Sequence, residues 1–255
     1  MSARYTYGDT DVAAERLRLL AEVFGPTTRA FLRRAELENP RLALDLGCGP
    51  GHTTRLVAET LRPTRTVGLD RSEAFVERAK VGAPSGIEFF RHDVTVVPFP
   101  TGDADLIHCR LLLAHLPDPV EVVFRWSCEL TIGGLLLLDE LEEVSSKEPA
   151  VEAYLREVAE PVVARQGASL IAGPLLHAMA DPPTSARLAD DVVTFSPPAA
   201  ASARIFSMNL AVLVERGEAE PRPDLADALD RIADGRVAAP VVWRVRQLAF
   251  RRLAG

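Results

Sequence analysis

The stretch ALDLGCGPGHTTRL, residues 43–56, places an acid, three glycines within five residues and then helix-compatible sequence in a row. Glycine tolerates positive φ and has no side chain to hold a ligand off, so Gly47, Gly49 and Gly51 let the backbone turn sharply and approach something closely. Spacing narrows what that something is. A dinucleotide fingerprint reads G-x-G-x-x-G, and His52 stands where its third glycine would be. A phosphate-binding P-loop needs a closing Gly-Lys-Ser/Thr, and no lysine is near. Phosphate is disfavoured. Asp45, two residues ahead of the first glycine, suits a ligand that carries a cationic group.

Two further acids follow at regular places. Asp70 closes TVGLD, 25 positions after Asp45, where a carboxylate can accept hydrogen bonds from two ribose hydroxyls. Asp93, in RHDV, is placed to accept from an exocyclic adenine amine, with the Val94 N–H for a ring nitrogen and His92 at the border of that site. Together they imply a nucleoside.

These acids need strands to position them. Apolar runs at Leu42–Leu46, Thr66–Asp70, Ile87–Asp93, Ala104–Arg110 and Gly134–Glu140 alternate with helical stretches at Thr53–Leu61, Ser72–Val81 and Pro119–Leu130. Strand and helix in alternation imply a parallel sheet with right-handed crossovers and helices on both faces. Ahead of it, Ala13, Leu17, Leu20 and Phe24 recur at helical spacing until Gly25-Pro26, which is expected to break the helix; a second helical segment runs from Thr28 to Glu38. Beyond it, Val151, Tyr154, Leu155, Val158 and Val162 form a helical stripe within an insertion. DDVVTFSPP gives a sixth strand, Ala200–Arg216 and Pro223–Asp234 two helices, and VVWRVRQLAF a seventh strand. The expected organisation is one domain over 1–255: a helical cap at 1–38, a cofactor-binding core at 39–142, a helical insertion at 143–182 and the rest of the core at 183–255.

Five motifs, LALDLGCGPGHTTRL, VGLDRSEAFVERAK, FFRHDVTVVPFP, DLIHCRLLLAHLPDP and GGLLLLDE, resemble in order those of class I S-adenosylmethionine-dependent methyltransferases, over about Leu42 to Glu140. The resemblance implies a Rossmann-like α/β fold whose seven-stranded, mostly parallel sheet has an antiparallel last strand, with a helical lid. It also implies that Asp45, Gly47, Cys48, Gly49 and Gly51 surround the methionine portion of S-adenosylmethionine, Asp70 the ribose, and Asp93 and Val94 the adenine. Arg71 would flank the adenine, and Cys109 and Arg110 would line the cofactor after the fourth strand. By the same resemblance the chain would be an enzyme moving a methyl group to a small molecule, such as a natural-product intermediate, and leaving S-adenosylhomocysteine.

His115, in LLLAHLPDP near the carboxyl edge of the sheet, is the candidate general base, against the alternative that it only orients its loop. His108, inside the fourth strand, reads as packed in the core. Glu140 either faces the acceptor or belongs to the solvated charge of DELEE. Tyr5 and Tyr7 either fold over the cofactor as a lid or lie in a loose tail. Apolar residues of the insertion and beyond, Tyr154, Leu155, Leu170, Leu175, Leu176, Met179 and Phe206, either line a site for a hydrophobic acceptor or, for most of them, simply pack the helices together, and nothing selects oxygen, nitrogen or carbon as the nucleophile.

Several classes are excluded or set second. A net charge of −7 argues against nucleic-acid and anionic-membrane partners, and no run of about 20 apolar residues is present to span a bilayer, so the expected setting is cytoplasmic, as monomer or homodimer. Cys48, Cys109 and Cys128 lie too far apart for a zinc site or disulfide framework, and no metal-ligand spacing is present. A nicotinamide oxidoreductase conflicts with the glycine spacing. A scaffold that binds S-adenosylmethionine but serves a cyclisation, a rearrangement or simple binding is the main alternative.

Overall fold

Continuously apolar strands such as Leu135–Leu138 require cover on both faces, and the chain supplies it. In the computed structural model, which describes residues 8–37, 39–165 and 169–254, seven strands form one sheet. They are β1 (Leu42–Leu46), β2 (Arg65–Asp70), β3 (Ile87–Arg91), β4 (Ala104–Arg110), β5 (Leu130–Ser146), β6 (Ser185–Phe195) and β7 (Val241–Arg252). Their order is β3-β2-β1-β4-β5-β7-β6. The first five pair in parallel, and β7 runs antiparallel between β5 and β6. The strand order reverses beside β1, so the crevice at the carboxyl ends of β1 and β4 is where such a sheet takes ligands.

Nine α-helices accompany the sheet among the described residues: α1 (Asp11–Arg34), α2 (His52–Leu61), α3 (Glu73–Lys80), α4 (Pro119–Cys128), α5 (Pro149–Ala153), α6 (Glu160–Arg165), α7 (Gly173–Ala178), α8 (Ala199–Glu215) and α9 (Pro223–Ala233). None is long and apolar enough to cross a membrane.

Three expectations give way. First, α1 runs unbroken through Gly25-Pro26 and ends at Arg34. A proline inside a helix costs about 3 kcal/mol, whereas burying a large apolar side chain returns about 1.5–3 kcal/mol. Phe24, Phe31 and Leu32 are all buried on one continuous face, so packing on both sides of Pro26 outweighs the break. Second, β5 continues to Ser146, well past Glu140, into the span expected to be helical from 143. Pairing with β7 recruits it: Glu143 lies opposite Arg244 and joins it in an ion pair at 2.7 Å, and Val144 lies opposite Trp243. Third, the expected stripe from Val151 to Val162 contains a π-helical turn, Tyr154–Ala159. Pro161 follows it and has no N–H to return to the carbonyl of Glu157, which accounts for the change of pitch there.

Helix α1 is tied to the sheet by buried polar groups. The Thr28 hydroxyl donates to Asp139 Oδ2 at 2.6 Å and accepts from Arg110 Nη1 at 3.3 Å, while Gln247 Nε2 donates to Asp139 Oδ1 at 3.3 Å. Thr28 and Asp139 are both fully buried. Removing the hydroxyl leaves a buried carboxylate short of a donor, so Thr28→Val is expected to lower the unfolding free energy by about 2 kcal/mol in urea denaturation. A change under about 0.5 kcal/mol, the range of an ordinary surface substitution, would contradict the tie.

Candidate active site

A cavity of about 1410 Å³ opens along the carboxyl ends of β1 to β5 and continues beneath α1 and α8. Its floor is the glycine loop, and backbone hydrogen bonds set that loop's shape. The amides of Gly47 and Cys48 donate to the carbonyl of Leu69 at 2.8 and 3.1 Å, and Gly51 N donates to the Cys48 carbonyl at 2.9 Å. All three loop glycines have positive φ, at 68°, 51° and 84°. Space at two of them is taken by the protein itself. A Cβ on Gly47 would come within 2.7 Å of Leu112, and one on Gly51 within 2.7 Å of Phe89 and Arg55. Gly47 and Gly49 still line the cavity; Gly51 does not. Its bareness serves packing at the start of α2.

Asp70 is the hinge of the arrangement. Its Oδ2 accepts from Gly49 N and its Oδ1 from Ser72 N, both at 2.8 Å, so one half-buried carboxylate fixes the glycine loop and the start of α3 together. Burial raises its pKa, and these two amides pull the other way. Each oxygen keeps a second lone pair for a ligand hydroxyl.

Arg71, His92, Asp93 and Val94 meet at the same end of the cavity. His92 Nε2 donates to the Val96 carbonyl at 2.8 Å, which orients its ring. Asp93 is exposed, with Oδ1 accepting from Thr95 N at 3.0 Å and Thr95 Oγ1 at 2.7 Å. Burial pushes this carboxyl up, but the Thr95 hydrogen bonds outweigh it and the net direction is down, so Asp93 stays anionic.

Two residues expected at the cofactor, Asp45 and Cys109, do not line the cavity. Asp45 is 1% exposed and its carboxylate is engaged by Thr54 Oγ1 at 2.7 Å and by His108 Nδ1 at 3.2 Å, bracing β1 against α2 and β4. Cys109 is fully buried, and its Sγ lies 3.8 Å from Glu140 Oε1. The alternation of β4 instead brings Arg110 to the cavity. Cys48 lines the wall as a buried thiol whose pKa burial raises.

His115 lines the cavity from the 3₁₀ turn Leu113–His115. Burial, with Arg16 and Arg71 adding to it, pushes its pKa down to about 4, so the imidazole is neutral at neutral pH. Tyr154 stacks on Phe206 with ring centroids 5.0 Å apart, and Phe206 on Trp243 at 5.6 Å, forming an aromatic wall. Leu155 and Leu170 join it, whereas Leu176 and Met179 are buried in the core beside β5 and Leu175 is exposed. Glu140 lines the cavity while fully buried, with Oε1 engaged by backbone amides. Tyr5 and Tyr7 lie outside the described residues.

Sequence reasoning missed Arg16, Asn209, Leu112 and Trp243. Arg16 is 4% exposed at the cavity; a signal was present, since it sits three residues after Ala13 and four before Leu20 on the apolar stripe of α1. Asn209, 7% exposed, interrupts the apolar run of α8 in the same way. Nothing local distinguished Leu112 or Trp243.

Comparison with known proteins agrees with this geometry. Residues 43–134 match the family described as "Methyltransferase domain". Trans-aconitate 2-methyltransferase from Methylobacterium radiotolerans is 33% identical over 174 residues, 68% of this chain and 58% of that protein. The chain spans between 46% and 58% of the length of other curated proteins of that name. Among solved structures, a candidate methyltransferase from Bacillus halodurans superposes with a TM-score of 0.60 at 17% identity, covering 88% of this chain and 98% of that one. The cyclase SpnF superposes with a TM-score of 0.54 at 18% identity, over 90% of this chain and 82% of its own. With its motifs, its strand order and the match over residues 43–134, the chain belongs to the class I S-adenosylmethionine-dependent methyltransferase family.

Proposed function

We propose that this chain transfers the methyl group of S-adenosylmethionine to a small acceptor with an apolar body. One observation carries the reading: a single cavity joins the strand-end carboxylates and glycine loop to an aromatic chamber. The residues fit the donor molecule. Asp70 and Asp93 offer acceptors for hydroxyl and amine groups rather than donors for phosphate, and Gly49 adds no side chain to the wall. Gly47, Cys48 and Gly49 would hold the methionine portion, Asp70 the ribose, and Arg71, His92, Asp93 and Val94 the adenine. When bound, the sulfonium supplies an electrophilic methyl group and departs as a neutral thioether.

The protein's part is placement and exclusion of water. Leu17 and Leu20 of α1 roof the cavity, and Tyr154, Phe206 and Trp243 wall the acceptor chamber. His115 is the catalytic candidate. A neutral imidazole accepts a hydrogen bond from a protic acceptor across the physiological pH range, and its low pKa makes it a weak base, suited to an acceptor that needs little deprotonation. The curated relative's name specifies trans-aconitate, so that compound belongs in any acceptor panel beside apolar alcohols, phenols and amines.

Incubation with S-adenosylmethionine and this panel is expected to give an apolar product heavier by one methyl group in mass spectrometry. Conversion of trans-aconitate alone would overturn the apolar acceptor, and cofactor binding with no methylated product from any compound would favour the scaffold reading. Asp70→Ala is expected to weaken S-adenosylhomocysteine binding by about a hundredfold in calorimetry, since hydrogen bonds to a charged group and the anchor of Gly49 go together. Unchanged affinity would refute the ribose assignment.

His115 also makes a stability prediction. Its folded pKa, about 4, lies below the ordinary 6.5, so between these values the unfolded chain takes up a proton that the folded chain does not. Stability therefore falls as pH drops through that window, and His115→Gln is expected to flatten this part of the unfolding profile relative to the unmodified protein. Identical profiles would place His115 in water.

A further inference from the structure

Glu140 is fully buried at the carboxyl end of the parallel part of β5, and its carboxyl is occupied. Oε1 accepts from the amides of Leu112 and Leu113, both at 2.8 Å. The preceding amide, Leu111 N, donates to the Asp139 carbonyl at 3.1 Å. Three successive N–H groups after β4 thus grip two successive residues of β5. Leu111 has φ +52°, in the left-handed region, and Leu112 follows in the right-handed region. Alternation of this kind turns consecutive amides toward one anion, and the anion here belongs to the protein.

The segment held in this way carries two parts of the cavity wall. The Leu112 side chain backs Gly47, where an added Cβ would approach it to 2.7 Å. His115 closes the turn that starts at Leu113, with its own amide donating to the Leu112 carbonyl at 2.8 Å.

We propose that Glu140 is a positioning residue: its carboxyl fixes the loop after β4 and so seats Leu112 behind the glycine loop and His115 in the cavity. This rests on reading the cavity as the site of methyl donor and acceptor. Of the two expectations for Glu140, that of solvated charge gives way to full burial, with Oε1 spent on the loop and Oε2 buried without a hydrogen-bond partner.

The groups around this carboxyl define how it responds to pH. From β4 comes Cys109, 3.8 Å away; from β5, Asp139, engaged by Thr28 and Gln247; and from β7, Arg246, opposite in register but turned to Glu142 and Asp190. Burial pushes Glu140 up to about 7, so the latch changes from neutral acid to carboxylate around neutral pH. A charged acceptor holds amides more tightly than a neutral one.

Amide hydrogen exchange by NMR and calorimetry with S-adenosylhomocysteine test this on the whole protein, with Glu140→Gln, Glu140→Leu and, as a control for general destabilisation, the buried α7 variant Leu176→Ala. Glu140→Leu is expected to lose protection at Leu112 and Leu113 and at least about tenfold in affinity, the scale of one buried amide left unpaired. Glu140→Gln keeps a carbonyl oxygen for both amides. It is expected to restore protection and affinity at about pH 6, but to lack the rise in affinity that the unmodified protein shows toward about pH 8. Unaltered protection at the two amides in Glu140→Leu, or an affinity loss matched by Leu176→Ala, would overturn the proposal. If Glu140→Leu does not fold, an unchanged rise with pH in Glu140→Gln would overturn it equally. Lost protection in Glu140→Leu combined with no binding to the unmodified protein would leave the latch standing and remove the cofactor reading alone.

Discussion

The carboxylate of Asp70 is the constraint on which the cavity depends. By accepting from Gly49 on one oxygen and Ser72 on the other, it joins the turn after β1 to the turn after β2. Gly47 and Cys48, whose amides reach the Leu69 carbonyl, complete the stitch. The carboxyl ends of adjacent parallel strands are otherwise independent, each free to lead its own loop elsewhere. Tied in this way they present one concave surface, and a half-buried acceptor with lone pairs in reserve sits at its centre.

The same device recurs across the sheet. The turn after β4 is held by the carboxyl end of β5, through the Asp139 carbonyl and the Glu140 carboxyl. The side chain of Asp139 faces the opposite way and fastens α1 through Thr28. Neighbouring acids on one strand therefore divide their work between the two faces, one setting the wall of the cavity and the other securing its roof. Asp45 does likewise from β1 by bracing α2 and β4 with Thr54 and His108. Several of the chain's acids thus serve as internal connectors.

Much of this was legible in the sequence. Runs covered on both faces marked β1 and β4 with their observed ends, and the order of acids after strands located Asp70 and Asp93 at the cavity. What was illegible depends on partners distant in the chain. The continuation of β5 to Ser146 needs β7 about a hundred residues later, through pairs such as Glu143 and Arg244. The unbroken α1 needs the sheet beneath Phe31 and Leu32. Asp45 and Glu140 show the limit for functional residues: Asp45 at a strand end reads as ligand-facing and Glu140 as either acceptor-facing or solvated, but the direction of each follows from which strand and loop lie against it. Arg16 is the converse, a buried charge whose place on an apolar stripe is visible in the sequence.

We propose that the loop held by Asp70 receives a nucleoside bearing a sulfur-linked amino acid and no phosphate. The most direct test is a calorimetric titration of the purified protein with S-adenosylmethionine and S-adenosylhomocysteine, with NADH as control. Saturable one-to-one binding of the first two, and none of NADH, is the predicted result. Binding of NADH, or of neither sulfur compound, would contradict it.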